Sequence, residues 1–411
     1  MKLLGSGEET KPNWTIRSGS CLVCFGGKWD KAAPIVTGIA QSETRIAYIC
    51  TMSDAIPMTR LHKGRGAASN PEGRFESTRH QAVDDGWHRE EDERRPATEV
   101  REELARSVIT RNDSPDIGFD HATNPYRGCE HGCIYCYARP SHAYLNLSPG
   151  LDFETKLFAK TNLESILRDE LSRRSYVCKP INIGSNTDPY QPIEKRWRLT
   201  RAALALLNEC NHPCTIVTKN ALVERDLDIL VPMAERKLVQ VFVSINSLDN
   251  KLASKLEPRA SAPHRRMKAV ETLANAGVPV GVLVAPIIPA LNEKDLEAII
   301  EQAGANGANS IGYTCIRLPH ELKQLFREWL ELHYPDRAAH IISLIQQMNG
   351  GKDYDSNFAT RMRGQGVFAD IIRKRVQVAV RKAGLHRAWD TVLDTSKFVP
   401  PRVHSPQGEL F

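Results

Sequence analysis

The sequence predicts an α/β protein: a partial (β/α)6 TIM-like barrel with an irregular N-terminal arm and a helical C-terminal extension. Three observations carry that expectation. After Phe119, short β-branched runs alternate with longer amphipathic stretches. Each run ends in polar or proline-marked residues before a helical pattern begins, as in strand–helix units built on a parallel sheet with right-handed crossovers. The polar groups with chemistry to offer fall at the C-terminal ends of these runs, the end at which such barrels carry their sites.

The elements follow in order. Residues 1–60 show no sustained period and are expected to form a poorly ordered leader, with Cys21 and Cys24 in "CLVC". Residues 61–118 are polar and charge-dense. Gly64, Gly66, Pro71 and Gly73 interrupt any period, so the stretch reads as an irregular wrapping arm pinned by Phe75 and Trp87. The barrel is expected over 119–335. Its strands are predicted before Cys129 and at 180–186, 214–220, 239–245, 278–288 and 310–318. Helical patterns lie at 163–173, 199–210, 222–237, 262–276 and 293–305. Residues 336–411 are read as a helical extension and tail, where Pro400, Pro401 and Pro406 favour an extended arm.

Hydrophobic residues make up 41% of the 411, enough for a large core. No apolar run reaches the length of a membrane span, and the N-terminus lacks a basic-then-apolar signal pattern, so a cytoplasmic protein without a membrane partner is expected. The net charge of +6 is mildly basic, but its distribution is uneven. From Arg361 to Arg387 eight basic residues face one acid, Asp370. That segment is either a solvated helix face or a patch for phosphates.

In a chain without a secretion signal, tightly clustered cysteines indicate metal or redox chemistry rather than disulfides. "NPYRGCEHGCIYCYARP" places Cys129, Cys133 and Cys136 within eight residues. A closed zinc site is one reading, with His121, His131 or His142 as a fourth ligand. The other is a [4Fe–4S] cluster held by three thiolates, which leaves one iron open for a ligand. Gly128 and Gly132 let the backbone curl around such a group, and the Tyr135 ring could shield it.

The C-x-x-x-C-x-x-C spacing with an aromatic before the last cysteine, in "RGCEHGCIYCYA", resembles the signature of radical S-adenosylmethionine enzymes. "IGSNTDPYQPIE", "VTKN" and "SINSLD" resemble the branch related to spore photoproduct lyase, also called DNA-repair-photolyase-like. "KGRGAASNP", "TRNDSPDIGFDHATNPYRGCEHGC", "SPGLDFETKLFAK" and "GGKDYDS" resemble uncharacterised bacterial members of it. The resemblance runs from about Lys63 to Leu385. It implies that Cys129, Cys133 and Cys136 bind a [4Fe–4S] cluster. The open iron would chelate S-adenosylmethionine, and an electron from a donor such as flavodoxin or ferredoxin would release a 5′-deoxyadenosyl radical. Ser185, Asn186, Thr187 and Asp188 would hold the ligand's amino group or ribose. Lys219 or Arg259 would meet its carboxylate, and Ser244 matches a ligand-contacting position. Spore photoproduct lyases carry a cysteine near the end of the second strand that returns hydrogen to the product. Here that stretch has none, and Cys178 is expected at the wrong end. Cys315 and Tyr313, on one face of the sixth strand, are the candidate hydrogen donors.

The terminal "QGELF" resembles the peptide that docks on the bacterial sliding clamp, with Gln407, Leu410 and Phe411 as anchors. The expectation is a radical enzyme acting on nucleic acid, a DNA-repair-lyase-like activity. Its rivals are radical chemistry on a peptide or small molecule, and a non-catalytic zinc-stabilised binding protein.

Overall fold

Six strands lie side by side in chain order, all parallel: β1 (His121–Thr123), β2 (Ile181–Ile183), β3 (Cys214–Thr218), β4 (Val239–Ser244), β5 (Val280–Ile287) and β6 (Ser310–Cys315). The computed structural model describes residues 62–75, 96–388 and 390–402, together with the backbone of a short hairpin, Leu22–Phe25 paired antiparallel with Lys28–Lys31. That hairpin belongs to a first unit, Met1–Ile56, and the sheet to a second, Pro57–Phe411. The rest of the leader, Trp87 and the Gln407–Phe411 tail lie outside the described residues.

The six strands form because their apolar runs can be covered on both faces, as in sheets wrapped by crossover helices. β4 sits inside the sheet and all six of its residues are buried. Helices α1 (Leu163–Leu171), α2 (Leu199–Glu209), α3 (Leu227–Glu235), α4 (Pro263–Asn275) and α5 (Leu296–Ala305) supply the crossovers. Their buried positions recur at helical spacing: Leu163, Leu167 and Leu171 in α1, Met267, Val270 and Leu273 in α4. Each such side chain, fully buried, contributes about 1.5–3 kcal/mol.

The sheet does not close on itself. Thr110–Arg111 adds an antiparallel strand beside β1, and His386–Arg387 adds a parallel one beside β6, making eight in all. The C-terminal extension contributes α6 (Leu322–His333), α7 (Pro335–Met348) and α8 (Gly366–Lys382).

Several boundaries differ from expectation. The strand expected over 180–186 ends at Ile183. Gly184 has φ +97°, and a Cβ there would stand 2.5 Å from the Val217 carbonyl oxygen, so the chain turns sharply at this point. The 222–237 helix starts as a 3-10 turn, Ala221–Asp226, capped by the Asn220 side chain. A further helix, Asn250–Leu256, is capped by Asp249, which accepts from the Lys251 and Leu252 amides. In the arm, 62–75 holds no helix or strand, whereas Glu99–Glu103 forms a strand parallel to Lys156–Lys160, which has Tyr126–Arg127 on its other side. Mostly exposed and rich in glutamate, that edge strand carries no apolar alternation to announce it.

Candidate active site at the mouth of the barrel

The segment following β1 curls through Gly128 (φ +73°) and Gly132 (φ +67°), and so turns Cys129, Cys133 and Cys136 into one cavity of about 940 Å³ at the C-terminal ends of the strands. Backbone bonds fix the curl: the Cys129 amide donates to Phe153 O (2.9 Å), Ile134 to Leu256 O (3.1 Å) and Cys136 to Cys133 O (3.2 Å). All three cysteines are free thiols. Burial pushes the Cys129 and Cys133 thiols far up, with the negative Asp188 and Glu257 adding to it. Thiolates in such surroundings need a cationic partner, and a metal centre is one.

Of the histidines weighed as a fourth zinc ligand, His131 lines the cavity beside Asp188, while His121 and His142 do not line it. His131 Nδ1 stands 3.3 Å from Asp188 Oδ2, His142 Nε2 is 2.9 Å from the Lys156 carbonyl oxygen, and the His121 ring stacks on Tyr176. Among the described residues no three His, Cys, Asp or Glu side chains surround a single metal position. Two buried thiols and the half-buried Cys136, spread around one curled loop, fit the larger, all-thiolate iron–sulfur cluster, and the open cavity beside them leaves room for a ligand.

The polar residues predicted for this rim mostly reach it. Ser185, Asn186, Thr187, Asp188, Lys219, Ser244 and Tyr135 all line the cavity. Their side chains differ in what they have left to offer. Asp188 accepts from Thr218 Oγ1 (2.7 Å) and from the Lys219 (2.7 Å) and Tyr190 (2.9 Å) amides. Burial alone would raise its carboxyl, but His131 and these donors hold it below the usual carboxylate range. Thr187 donates to Tyr126 O (3.0 Å) and Ser185 accepts from Asn124 Nδ2 (3.0 Å). Asp188 and Thr187 therefore brace the turn. The Lys219 ammonium is drawn down by burial, yet Cys133 and Glu257 outweigh that and hold it above its ordinary value. It projects beside the thiols as a cation suited to a carboxylate. Arg259 is placed differently: its guanidinium meets Glu130 Oε1 at 2.8 Å and does not line the cavity.

Sequence reasoning passed over the brace behind Tyr135. The Tyr135 hydroxyl donates to Glu257 and accepts from Asn246 Nδ2 (3.2 Å). Glu257 is ion-paired with Arg266, whose guanidinium also donates to Ser244 O (2.9 Å). One signal was present: Arg266 falls on the apolar face of α4, one residue before Met267, where a charge needs a buried partner.

The opposite wall comes from β6 and the C-terminal extension. Tyr313 and Cys315 face the cavity. Burial pushes the Cys315 thiol up to about 12 against the pull of Arg363 and Arg373, and its Sγ donates to Arg363 O (3.3 Å). Arg317, Arg361, Arg363, Arg373 and Arg387 line the same wall. The basic segment thus divides. Arg361 is held bidentately by Asp116 (2.6 Å to each oxygen), and Arg375 pairs with Glu297 on α5. Arg363 lies over the Tyr313 ring (3.8 Å to the centroid) and Arg317 over Tyr137 (4.3 Å). Neither has a carboxylate partner among the described residues.

A family model described as the Radical SAM superfamily matches residues 123–303. An uncharacterised protein of Mycobacterium tuberculosis is 34% identical over 249 residues, 60% of this chain and 73% of its own length. One of Methanocaldococcus jannaschii is 29% identical over 219 residues, 53% of this chain and 78% of that protein. Among solved structures, a mutant spore photoproduct lyase aligns with a TM-score of 0.49 at 16% identity, covering 70% of this chain and 81% of the other.

Proposed function

The chain belongs to the radical SAM superfamily, and from that premise we propose that it performs S-adenosylmethionine-dependent radical chemistry on a nucleic acid. A [4Fe–4S] cluster and S-adenosylmethionine are its cofactors. Cys129, Cys133 and Cys136 would hold the cluster, whose role when loaded is to deliver one electron for the reductive cleavage of S-adenosylmethionine. The observation that carries the substrate assignment is the shared cavity: the thiol loop and the arginine wall bound one space.

The side chains divide the remaining work. Lys219 pairs with the methionine carboxylate, and Ser185, Asn186 and Ser244 offer short polar groups for the amino group and ribose. Arg363, Arg317, Arg373 and Arg387 hold phosphates of the substrate, a task suited to planar, permanently charged guanidiniums. Cys315 stays a neutral thiol near pH 7 and, with Tyr313, is positioned to return a hydrogen atom to a substrate radical. A lyase acting in DNA repair is the form of the reaction this arrangement favours. The Gln407–Phe411 tail follows Arg402, whose carbonyl accepts from Arg168 on α1 (3.5 Å), and we assign that tail to a sliding-clamp contact, to be checked by pull-down with and without it.

The test is anaerobic incubation of reduced protein with labelled S-adenosylmethionine and normal or damaged DNA. DNA-dependent formation of 5′-deoxyadenosine with an altered nucleotide supports the reading. Turnover indifferent to DNA but stimulated by a peptide or a small molecule refutes it. Wild-type protein should carry about four irons per chain, lost on Cys133→Ala, and stoichiometric zinc would count against the site. Among the described residues no helix is long and apolar enough to cross a membrane.

A further inference from the structure

The cysteine loop is not self-supporting. Arg139, fully buried, directs all five of its N–H groups at chosen acceptors: Nε to Cys133 O (2.9 Å), Nη2 to Gly132 O (3.1 Å) and Glu154 Oε1 (2.5 Å), Nη1 to Pro149 O (3.1 Å) and Gly150 O (2.8 Å). A saturated guanidinium fork fixes those carbonyls in one geometry. Glu154, equally buried, then reaches outside the barrel: it accepts from the Gly66 amide (Oε2, 2.9 Å) and the Ala67 amide (Oε1, 2.8 Å). Arg65 Nη1 donates to Glu154 O (2.8 Å). The contact at Gly66 is closer than any side chain allows, because a Cβ there would stand 1.8 Å from Gly132 O. The arm therefore lies with its bare backbone against the turn between Cys129 and Cys133. Its other end is tied to the C-terminal extension: Ser69 Oγ donates to Glu328 Oε2 (2.5 Å), and Arg74 pairs with Glu321 (3.2 Å). All of residues 62–75 precede the stretch matched by the superfamily model, 123–303.

We propose that the arm is a working part of the cofactor site: Gly66 and Ala67, through Glu154 and Arg139, are positioning residues that clamp the cysteine loop so that its three thiols keep the spacing a cluster requires. Groups that orient metal ligands from behind commonly change metal retention by about 10–100-fold when altered. The inference rests on the cofactor assignment and is independent of the substrate.

The experiment uses the full chain carrying Gly66→Ala, reconstituted anaerobically beside wild type. It reads the rate of bleaching by an iron chelator, the EPR spectrum of the reduced cluster and the cluster midpoint potential. Expected are bleaching at least tenfold faster, an altered spectrum and a shifted potential, with metal-free protein melting as wild type does. Gly64→Ala, where an added Cβ meets no atom within 4 Å, imposes backbone strain of its own (φ +80°) on the same arm without the clash and should retain the cluster normally. If Gly66→Ala is insoluble, Glu154→Gln decides: its amide cannot accept all three bonds, so the same spectroscopic changes are expected. Wild-type retention and spectrum in these variants overturn the proposal. So does a lowered melting temperature with an unchanged cluster, or a Gly64→Ala protein as labile as Gly66→Ala. A wild-type chain that takes up no cluster would instead sink the cofactor assignment, an outcome the parallel sample separates.

Discussion

Replacing Arg363 with glutamine should change how salt governs nucleic-acid binding. Every guanidinium that meets a phosphate releases condensed counterions, so log K falls with log salt at about 0.7 per contact on a single strand. Four arginines on the cavity wall are available: Arg317, Arg363 and Arg387, which have no carboxylate partner among the described residues, and Arg373, paired only with the exposed Asp370 (3.0 Å). The wild-type slope should therefore be about −3. Arg363→Gln should make it shallower by about 0.7 and weaken binding about tenfold, evenly across sequences, because phosphate contacts position a strand without reading it. Arg361→Gln is the internal contrast, since that charge is already committed to Asp116. It should leave the slope as it is. Fluorescence anisotropy of a labelled oligonucleotide over a series of salt concentrations reads both. A slope near zero in wild type, or equal changes in the two variants, would refute the phosphate wall.

Lys219→Met should weaken S-adenosylmethionine by about 10–100-fold, the worth of one charged hydrogen bond, as measured by anaerobic calorimetry; unchanged affinity would remove Lys219 from the carboxylate's reach. Glu257→Gln should destabilise the fold by about 3–5 kcal/mol near neutrality, because it leaves Arg266 buried without its counter-charge. Burial alone would raise the Glu257 carboxyl, but Arg266 and Lys219 hold it below the ordinary value. Its contribution is thus present above the unfolded pKa, about 4.3, and is lost as pH falls through the lower folded one. Urea titrations should show the gap between wild type and variant closing in acid. Cys315→Ala and Tyr313→Phe, turned over in deuterated water, should change deuterium incorporation into the product if either side chain returns the hydrogen, and identical labelling in both would exclude the pair.

The barrel was legible because its strands are buried on both faces and read as apolar runs, as in Val239–Ser244. Their ends were not, since a strand stops where backbone geometry demands, as at Gly184, and not where apolar residues run out. The thiol loop was legible because its chemistry is written in contiguous residues. What escaped was made by long-range pairing: Arg139 with Glu154, Glu257 with Arg266, and the arm's amides on Glu154. No local period predicts such partners. Arg259 shows the converse. It has the right chemistry for a carboxylate clamp, but Glu130 stands at 2.8 Å and takes it. The arginines after 360 could be counted from the sequence, and only the folded chain sorted those that face the cavity from those on the surface.

The arginines and the thiols that share this cavity come from stretches of chain that do not interleave. The cysteine loop and Lys219 lie within residues 123–303, while the guanidiniums begin at Arg317. A substitution among the guanidiniums can therefore reshape one end of the cavity while every residue of the thiol loop itself stays as it is.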